Sequence, residues 1–218
     1  SSDVCSSDLE KYPTAKILYL AYSAATTVSY RSAHLAAEGR DYVTMMDTKS
    51  VSCALRLVVT NVARMMEVNP DATEDEVKAF VESQVRRIRF AFIPGDLEYL
   101  RAGGRLSNVA FLGATLLRIK PTVEVLDGKL VATKKRRGAM VKCVGQLVED
   151  FVTREPMDLS RVNLTYTVGN APDPIIRALV EKILRDYGAQ EIEWVKSGCV
   201  IASHSGPGAF GIAAVAAE

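Results

Sequence analysis

The stretch Lys16-Ile17-Leu18-Tyr19-Leu20-Ala21-Tyr22-Ser23, running on into SAATTVSYRSAHLAAEG at residues 23–39, decides the fold. Its first part is continuous and apolar, the pattern of a buried strand, and its second part reads as a helix closed by Gly39. A strand feeds a helix. The order then repeats: residues 42–47, YVTMMD, read as a second buried strand, and residues 50–66 carry apolar side chains at helical spacing. Strand and helix in alternation predict a parallel, Rossmann-like α/β layer.

Further along, Thr73 and Glu76 follow Asn69-Pro70 and form a capping box that opens a helix to about Arg87. Residues 89–93 return as a strand, and a domain boundary is expected near Ile88. Beyond it the pattern changes. A short helix at 97–101 breaks at Gly103-Gly104, and Asp127-Gly128 between two apolar runs signals a hairpin. A helix at 138–153, a strand at 162–168, a helix at 172–187 and strands near 191–195 and 200–203 complete the reading. The expected organisation is an α/β domain over residues 10–88, incomplete at its amino end, and an α+β domain with a mixed or antiparallel sheet over residues 89–218. No internal repeat or low-complexity segment is present.

Lys plus Arg number 27 against 26 Asp plus Glu, a formal net charge of +1, so no long-range field recruits nucleic acid or an anionic membrane. Any partner must be recognised locally. With 48% hydrophobic and 24% charged residues, the chain can bury a sizeable core without help from a disulfide or a metal. No apolar run approaches the length of a membrane span, so stable membrane insertion is not expected. Cys5, Cys53, Cys143 and Cys199 are scattered, without a C-x-x-C pair, which points to a reduced, cytoplasmic protein. Residues 1–9, SSDVCSSDL, lack the basic start and apolar stretch of a signal peptide. They read as a non-native leader similar to translated sequencing adapter, with the natural protein expected to begin further upstream.

Residues 206–211, GPGAFG, match G-x-G-x-x-G letter for letter. A dinucleotide site needs a strand before that motif, a helix after it and an acidic residue about 20 positions on. Only seven residues follow Gly211, so the motif is rejected. Walker A, H-E-x-x-H and G-x-S-x-G sequences are absent too. Of the two histidines, His34 lies mid-helix and reads as a helix-surface residue. His204 follows the apolar run 199–202 and precedes Gly206-Pro207-Gly208, so it is expected at a strand end, beside backbone that a ligand can approach closely. A hydrogen-bonded turn histidine fits the same pattern equally well.

Ser23, Thr26, Thr27 and Ser29 fall between a strand end and the first turn of a helix. Open α/β sheets bind ligands there, and free N–H groups at a helix start favour an anion. Serine and threonine are also ordinary helix caps, which taken alone is their commoner role. The basic run Lys134-Lys135-Arg136-Arg137 has no aromatic residue interleaved to stack bases and reads as a solvated face. Arg101 and Arg105 flank Gly103-Gly104 and are either surface charges or contacts for a phosphate or carboxylate.

Several segments together resemble one family. Residues 97–107, LEYLRAGGRLS, are similar to the L-E-Y-L-x-x-G-G-R-I-S signature of DegV proteins. Leu112-Gly113 through Pro121 resembles their L-G-x-L-L-x-I-K-P, and Asp127-Gly128-Lys129 and residues 135–138 look like their D-G-K and K-x-R-G elements. Residues 200–209, VIASHSGPGA, look like the closing I-G-x-H-x-G-P-G-A. The resemblance runs from about Lys16 to the end of the chain.

It implies a two-domain fatty-acid-binding protein, with one acyl chain in a tunnel between the domains and its carboxyl group at the mouth. A separate fatty acid kinase phosphorylates that group, so the carrier itself is no enzyme and needs no cofactor or metal. The family's carboxylate segment S-S-x-L-S-G-T-Y matches residues 23–30: Ser23 and Tyr30 are kept, Thr27 stands for the serine and Ser29 for the threonine. The family histidine falls on His204. By resemblance, Ser23, Thr27 and His204 are expected to hold the carboxylate, Ser29, Gly206 and Gly208 to form the loops around the ligand, and Arg105 and Arg137 to face the kinase and the phosphoryl group. Two departures stand out. Ala54 and Arg56 occupy positions where the family commonly has glycines, so close packing or tunnel shape is expected to differ, and the T-S-x-P-S-like loop expected ahead of Lys16 is absent. The rival expectation is a phosphotransfer enzyme related in fold to dihydroxyacetone kinases, using Arg101 and Arg105 on phosphate. A nucleic-acid module built on residues 134–137 would bind with steep salt dependence, which the net charge disfavours.

Overall fold

A computed structural model describes residues 11–104, 119–167 and 173–217. Strand β1 (Ile17–Ala21) leads into helix α1 (Ser29–Ala37), and β2 (Val43–Asp47) into α2 (Ser52–Val68). The two strands pair in parallel, from Ile17 opposite Val43 to Ala21 opposite Asp47. The strand–helix repeat is therefore present, but α1 begins at Ser29 rather than Ser23. Local polar bonds hold the intervening residues out of the helix: the Ser23 carbonyl accepts from both the amide and the hydroxyl of Thr26 at 3.0 Å, and Asp47 Oδ1 accepts from the Ala24 amide at 3.2 Å.

Helix α3 (Glu74–Arg87) opens on the expected capping box, in which Thr73 Oγ1 accepts from the Glu76 amide and the Glu76 carboxylate accepts from the Thr73 amide. The chain continues through β3 (Ile88–Ile93), α4 (Leu97–Ala102), β4 (Ile119–Leu126), β5 (Lys129–Arg137), α5 (Met140–Thr153), β6 (Met157–Tyr166), α6 (Pro174–Asp186), β7 (Glu191–Lys196), α7 (Cys199–Ser205) and β8 (Phe210–Ala216). Six strands form one mixed sheet in the order β5-β4-β3-β8-β6-β7. All neighbours in it are antiparallel except β6 and β7. The hairpin turns at Asp127 and Gly128, whose φ of 46° and 77° are the left-handed pair that a two-residue primed turn requires.

The carboxyl-terminal reading needs correction. Residues 200–203, expected as a strand, lie in α7, a short helix that starts after Gly198 and ends at Gly206 with φ 75°. The last strand is β8 instead. It runs between β3 and β6 and is buried throughout, so its small residues are pressed between two layers and give little of the bulk by which a strand is usually recognised. The G-x-G-x-x-G letters therefore follow a helix and enter a strand, the reverse of a dinucleotide site.

Alternation along the central strands divides the core. Ala91, Ile93, Val162, Leu164 and Ile212 face α5 and α6, whereas Phe90, Phe92, Ala213 and Val215 face the start of α2 and Leu100 of α4. Further along α2, Val58 and Val62 turn to α3 and to Leu18 and Leu20 of β1. One helix thus serves both sheets and holds the small sheet over the phenylalanine face of the large one. At the positions of the family glycines, Ala54 is fully buried and Arg56 reaches across to Glu193 of β7 and Asn163 of β6. Among the described residues, no helix is long and apolar enough to cross a membrane.

Candidate functional site

Between the loop after β1, the start of α2, the phenylalanine face of the large sheet and α7 lies a cavity of about 490 Å³, within the roughly 300–1,000 Å³ span of small-molecule sites. Phe90 and Phe92 form its floor, Val51 and Leu55 come from the start of α2, and Val200 and Ile201 from α7. Gly211 keeps the floor flat: a Cβ there would lie 2.9 Å from Thr165 Cγ2 and 3.1 Å from the Phe90 ring. None of the described lining residues is Asp, Glu, Lys or Arg. An apolar chain can lie here without stranding an ion.

Polar groups gather where the β1–α1 loop approaches α7. Thr27, Ser29 and His204 all line the cavity. Thr27 Oγ1 accepts from the Ser29 amide at 3.2 Å, and the two hydroxyl oxygens are 2.9 Å apart. Thr27 thus braces the approach to α1, whose N-cap is Val28, as well as taking a place in the wall. The hydroxyl pair shares one hydrogen bond, so in either orientation one of its two hydrogens is left for a ligand.

His204 stands on the last turn of α7 rather than at a strand end. Its imidazole packs against the turn that ends α4: a Cβ on Gly103 would lie 2.1 Å from His204 Nδ1. Other contacts bind the same two segments. The Gly95 amide donates to the Ser205 carbonyl at 2.8 Å, and a Cβ on Gly206 would come within 3.0 Å of the Asp96 amide nitrogen. Thr167 Oγ1, almost fully buried, donates to the Gly206 carbonyl at 2.6 Å and accepts from the Ala209 amide at 2.9 Å. The LEYLRAGG and HSGPGA segments are therefore one packed unit with His204 at its cavity side. Gly206 and Gly208 shape the loop without lining the cavity, and their neighbours Ser205 and Ala209 do line it.

Ser23 takes a different place. It is fully buried, lies outside the cavity wall, and donates through Oγ to the Gly128 carbonyl at 2.7 Å. With Lys49 paired to Asp127, it ties the β1–α1 loop to the hairpin tip. Arg105 lies outside the described residues. Arg137 is exposed on β5, an edge strand of the large sheet. The solvated-face reading of residues 134–137 fails at Arg136, which is 4% exposed and donates to Thr122 Oγ1 and to Asp150, both at 2.7 Å. Burial would raise the Asp150 carboxyl, but Lys134 and Arg136 together hold it below its ordinary value. Arg101 is paired within its own helix with Glu98.

Sequence patterns had no means of finding Phe90, Phe92, Thr165 and Thr167 as cavity residues, because they are ordinary strand residues until the small sheet covers their face. Burial pushes the Cys53 thiol well above its ordinary value, which leaves it no thiolate to act as a nucleophile. Among the described residues, no group of three or more His, Cys, Asp or Glu could hold a metal ion.

The model of the uncharacterised DegV protein family matches residues 5–217. A DegV domain-containing protein of Deinococcus radiodurans is 30% identical over 207 residues, 91% of this chain and 69% of that protein. One from Clostridium acetobutylicum is 29% identical over 202 residues, 90% of this chain and 68% of that protein. Among solved structures, a fatty-acid-binding DegV family protein from Thermus thermophilus superimposes with a TM-score of 0.80 at 27% identity, covering 95% of this chain and 74% of that one. A fatty acid binding DegV family protein from Streptococcus agalactiae gives 0.77 at 26% identity, covering 97% and 74%. The family model, the relatives and the superposed structures each span nearly the whole chain, and the protein belongs to the DegV family.

Proposed function

We propose that this chain binds one long-chain fatty acid in the 490 Å³ cavity and presents its carboxyl group to a separate fatty acid kinase. The observation that carries the reading is the cavity wall, which joins an aromatic and aliphatic floor to hydroxyls and one imidazole, with no ionised carboxylate, lysine or arginine among its described residues. Such a wall suits a long hydrocarbon with a single polar end. Burying roughly 14 methylenes at about 0.8 kcal/mol each supplies a gross term near 11 kcal/mol before ordering costs. The tail supplies affinity, and hydrogen bonds to the charged head, about 1.5–3 kcal/mol apiece, set which end faces outward. The two solved DegV proteins described as fatty-acid-binding support the ligand class.

In this reading the Thr27–Ser29 pair and His204 receive the carboxylate, and Ser23 acts from behind by fixing the loop. Arg137, exposed on the edge strand, faces the kinase, so Arg137→Ala should impair phosphorylation of the bound acid more than binding of the acid. Equal loss of both would remove Arg137 from the partner surface. A phosphotransfer enzyme is less well supported, because Arg101 is engaged by Glu98 and the described cavity wall offers no cation for a phosphate; a nucleotide-binding assay separates the two. Native mass spectrometry of protein purified from cells tests the main proposal. A co-purifying mass of one long-chain fatty acid is expected, and protein that takes up no fatty acid on direct titration would refute it.

A further inference from the structure

Further along α2, between that helix, α3 and the start of β6, runs a groove of about 510 Å³. Met65, Val68, Phe80 and Val215 supply an apolar bed, and Arg64, Arg87 and Arg161 supply guanidinium groups. Gln84 also lines the groove and is 5% exposed. Its orientation follows from a chain of hydrogen bonds. Arg161 can only donate, and its Nη1 donates to Asn61 Oδ1 at 2.8 Å. Asn61 must therefore turn its nitrogen toward Gln84, and Nδ2 donates to Gln84 Oε1 at 2.8 Å. The Gln84 amide nitrogen is left with two hydrogens and no acceptor among the described residues. That nitrogen is not among the fully enclosed atoms, so what remains of its surface opens into the groove. A nearly buried donor of this kind takes its oxygen from whatever occupies the groove, water or a ligand.

We propose that this groove is a second ligand site, for a carboxylate or phosphate carried on a short apolar body. The oxyanion accepts from Gln84 Nε2 with Arg64 at the rim, and the body lies on Met65 and Phe80. Guanidinium groups outnumber carboxylates among the described lining residues, and each of them is held by contacts of its own. Arg64 and Arg161 share Glu191, at 3.3 and 2.9 Å, Arg87 Nε donates to the Ala216 carbonyl at 2.9 Å, and Asp158 is the one carboxylate among the described lining residues. Guanidinium groups already fixed by such contacts lose little freedom in taking a further oxygen.

The test is a titration of ¹⁵N-labelled protein saturated with oleate, using phenyl phosphate in one arm, benzoate in a second and benzyl alcohol in a third. The signal followed is the Gln84 side-chain NH₂ resonance, identified by its loss in Gln84→Met. A saturable shift with phenyl phosphate, benzoate or both, and none with benzyl alcohol, is expected, and the stronger arm tells phosphate from carboxylate. Gln84→Glu keeps an oxygen for Asn61 but replaces the donor with a second oxygen, and should weaken binding by at least about tenfold. Should that variant fail to fold, Arg64→Ala, a change at an exposed side chain, should also weaken the oxyanion. No saturable shift with either oxyanion, or undiminished binding in these variants, overturns the proposal. Because the signal arises at Gln84, the outcome does not depend on what fills the first cavity.

Discussion

Gly103 and His204 are packed so closely that one added carbon would overlap the imidazole: a Cβ on Gly103 would stand 2.1 Å from Nδ1 and 2.7 Å from Cε1. Gly103 itself has φ −76°, a conformation open to alanine, so Gly103→Ala pushes on the imidazole without straining the backbone. If His204 reads a carboxylate, Gly103→Ala and His204→Ala should both cost one charge-assisted hydrogen bond, about 1.5–3 kcal/mol, or roughly 10- to 150-fold in affinity for a fatty acid. The methyl ester of the same acid should be scarcely affected. Titrating both ligands into the wild type and each variant gives the answer, and equal weakening of acid and ester would show that the histidine only shapes the cavity.

Ser23 and Gly128 make a second separable case. The Ser23 hydroxyl is fully buried and its hydrogen goes to the Gly128 carbonyl at 2.7 Å. Ser23→Ala leaves that carbonyl without its side-chain donor and should destabilise the fold by about 1–3 kcal/mol, measured as a lower denaturant midpoint. Affinity of the folded protein for a fatty acid should change little. A large loss of affinity at unchanged stability would instead make Ser23 a carboxylate ligand, as the family resemblance suggests.

These two residues mark how far the sequence could be read. The strand–helix repeat, the Thr73–Glu76 capping box and the Asp127-Gly128 turn were legible because their causes are local: apolar spacing, a cap and a left-handed pair. Helix α7 was not. Its Val200 and Ile201 look like strand residues, and only the bracketing Gly198 and Gly206 signal a short helix. For the site, the family motifs led to Thr27, Ser29 and His204, which do share one cavity. They also led to Ser23, whose partner lies 105 positions away in the hairpin turn. No local pattern reports a contact of that span, and the same limit hid Phe90, Phe92 and the Gly103–His204 packing.

The Thr27–Ser29 pair predicts a non-additive result. The two oxygens are 2.9 Å apart, so they share one hydrogen and leave one for the ligand. Removing either hydroxyl frees the survivor to donate, and Thr27→Val or Ser29→Ala alone should lower fatty-acid affinity by no more than about 1.5-fold. The double variant has no hydroxyl left and should lose about tenfold or more, a coupling well outside simple addition. Additive single effects in a double-mutant cycle would show that the two residues act independently.

Glu74 predicts how stability varies with pH. Its carboxylate accepts from Lys16 Nζ at 2.8 Å and Thr44 Oγ1 at 2.7 Å and pairs with Lys78 at 2.6 Å, tying the first turn of α3 to β2 and to the residue before β1. These contacts, Lys16 first, lower its pKa from 4.5 to about 2. Because the folded value lies below the unfolded one, the unfolded chain binds more protons between them. The contribution is therefore fully present above the ordinary carboxylate range and is lost as pH falls toward about 2. Glu74→Gln should lower the denaturant midpoint at neutral pH, and its gap from the wild type should shrink steadily between about pH 6 and pH 3. Added salt should narrow the neutral-pH gap as well, since these charges are solvent-exposed and open to screening. A gap that stays constant across this pH range would mean that the Glu74 carboxylate is not held by its cations, since the amide oxygen that Glu74→Gln introduces can still accept from Thr44.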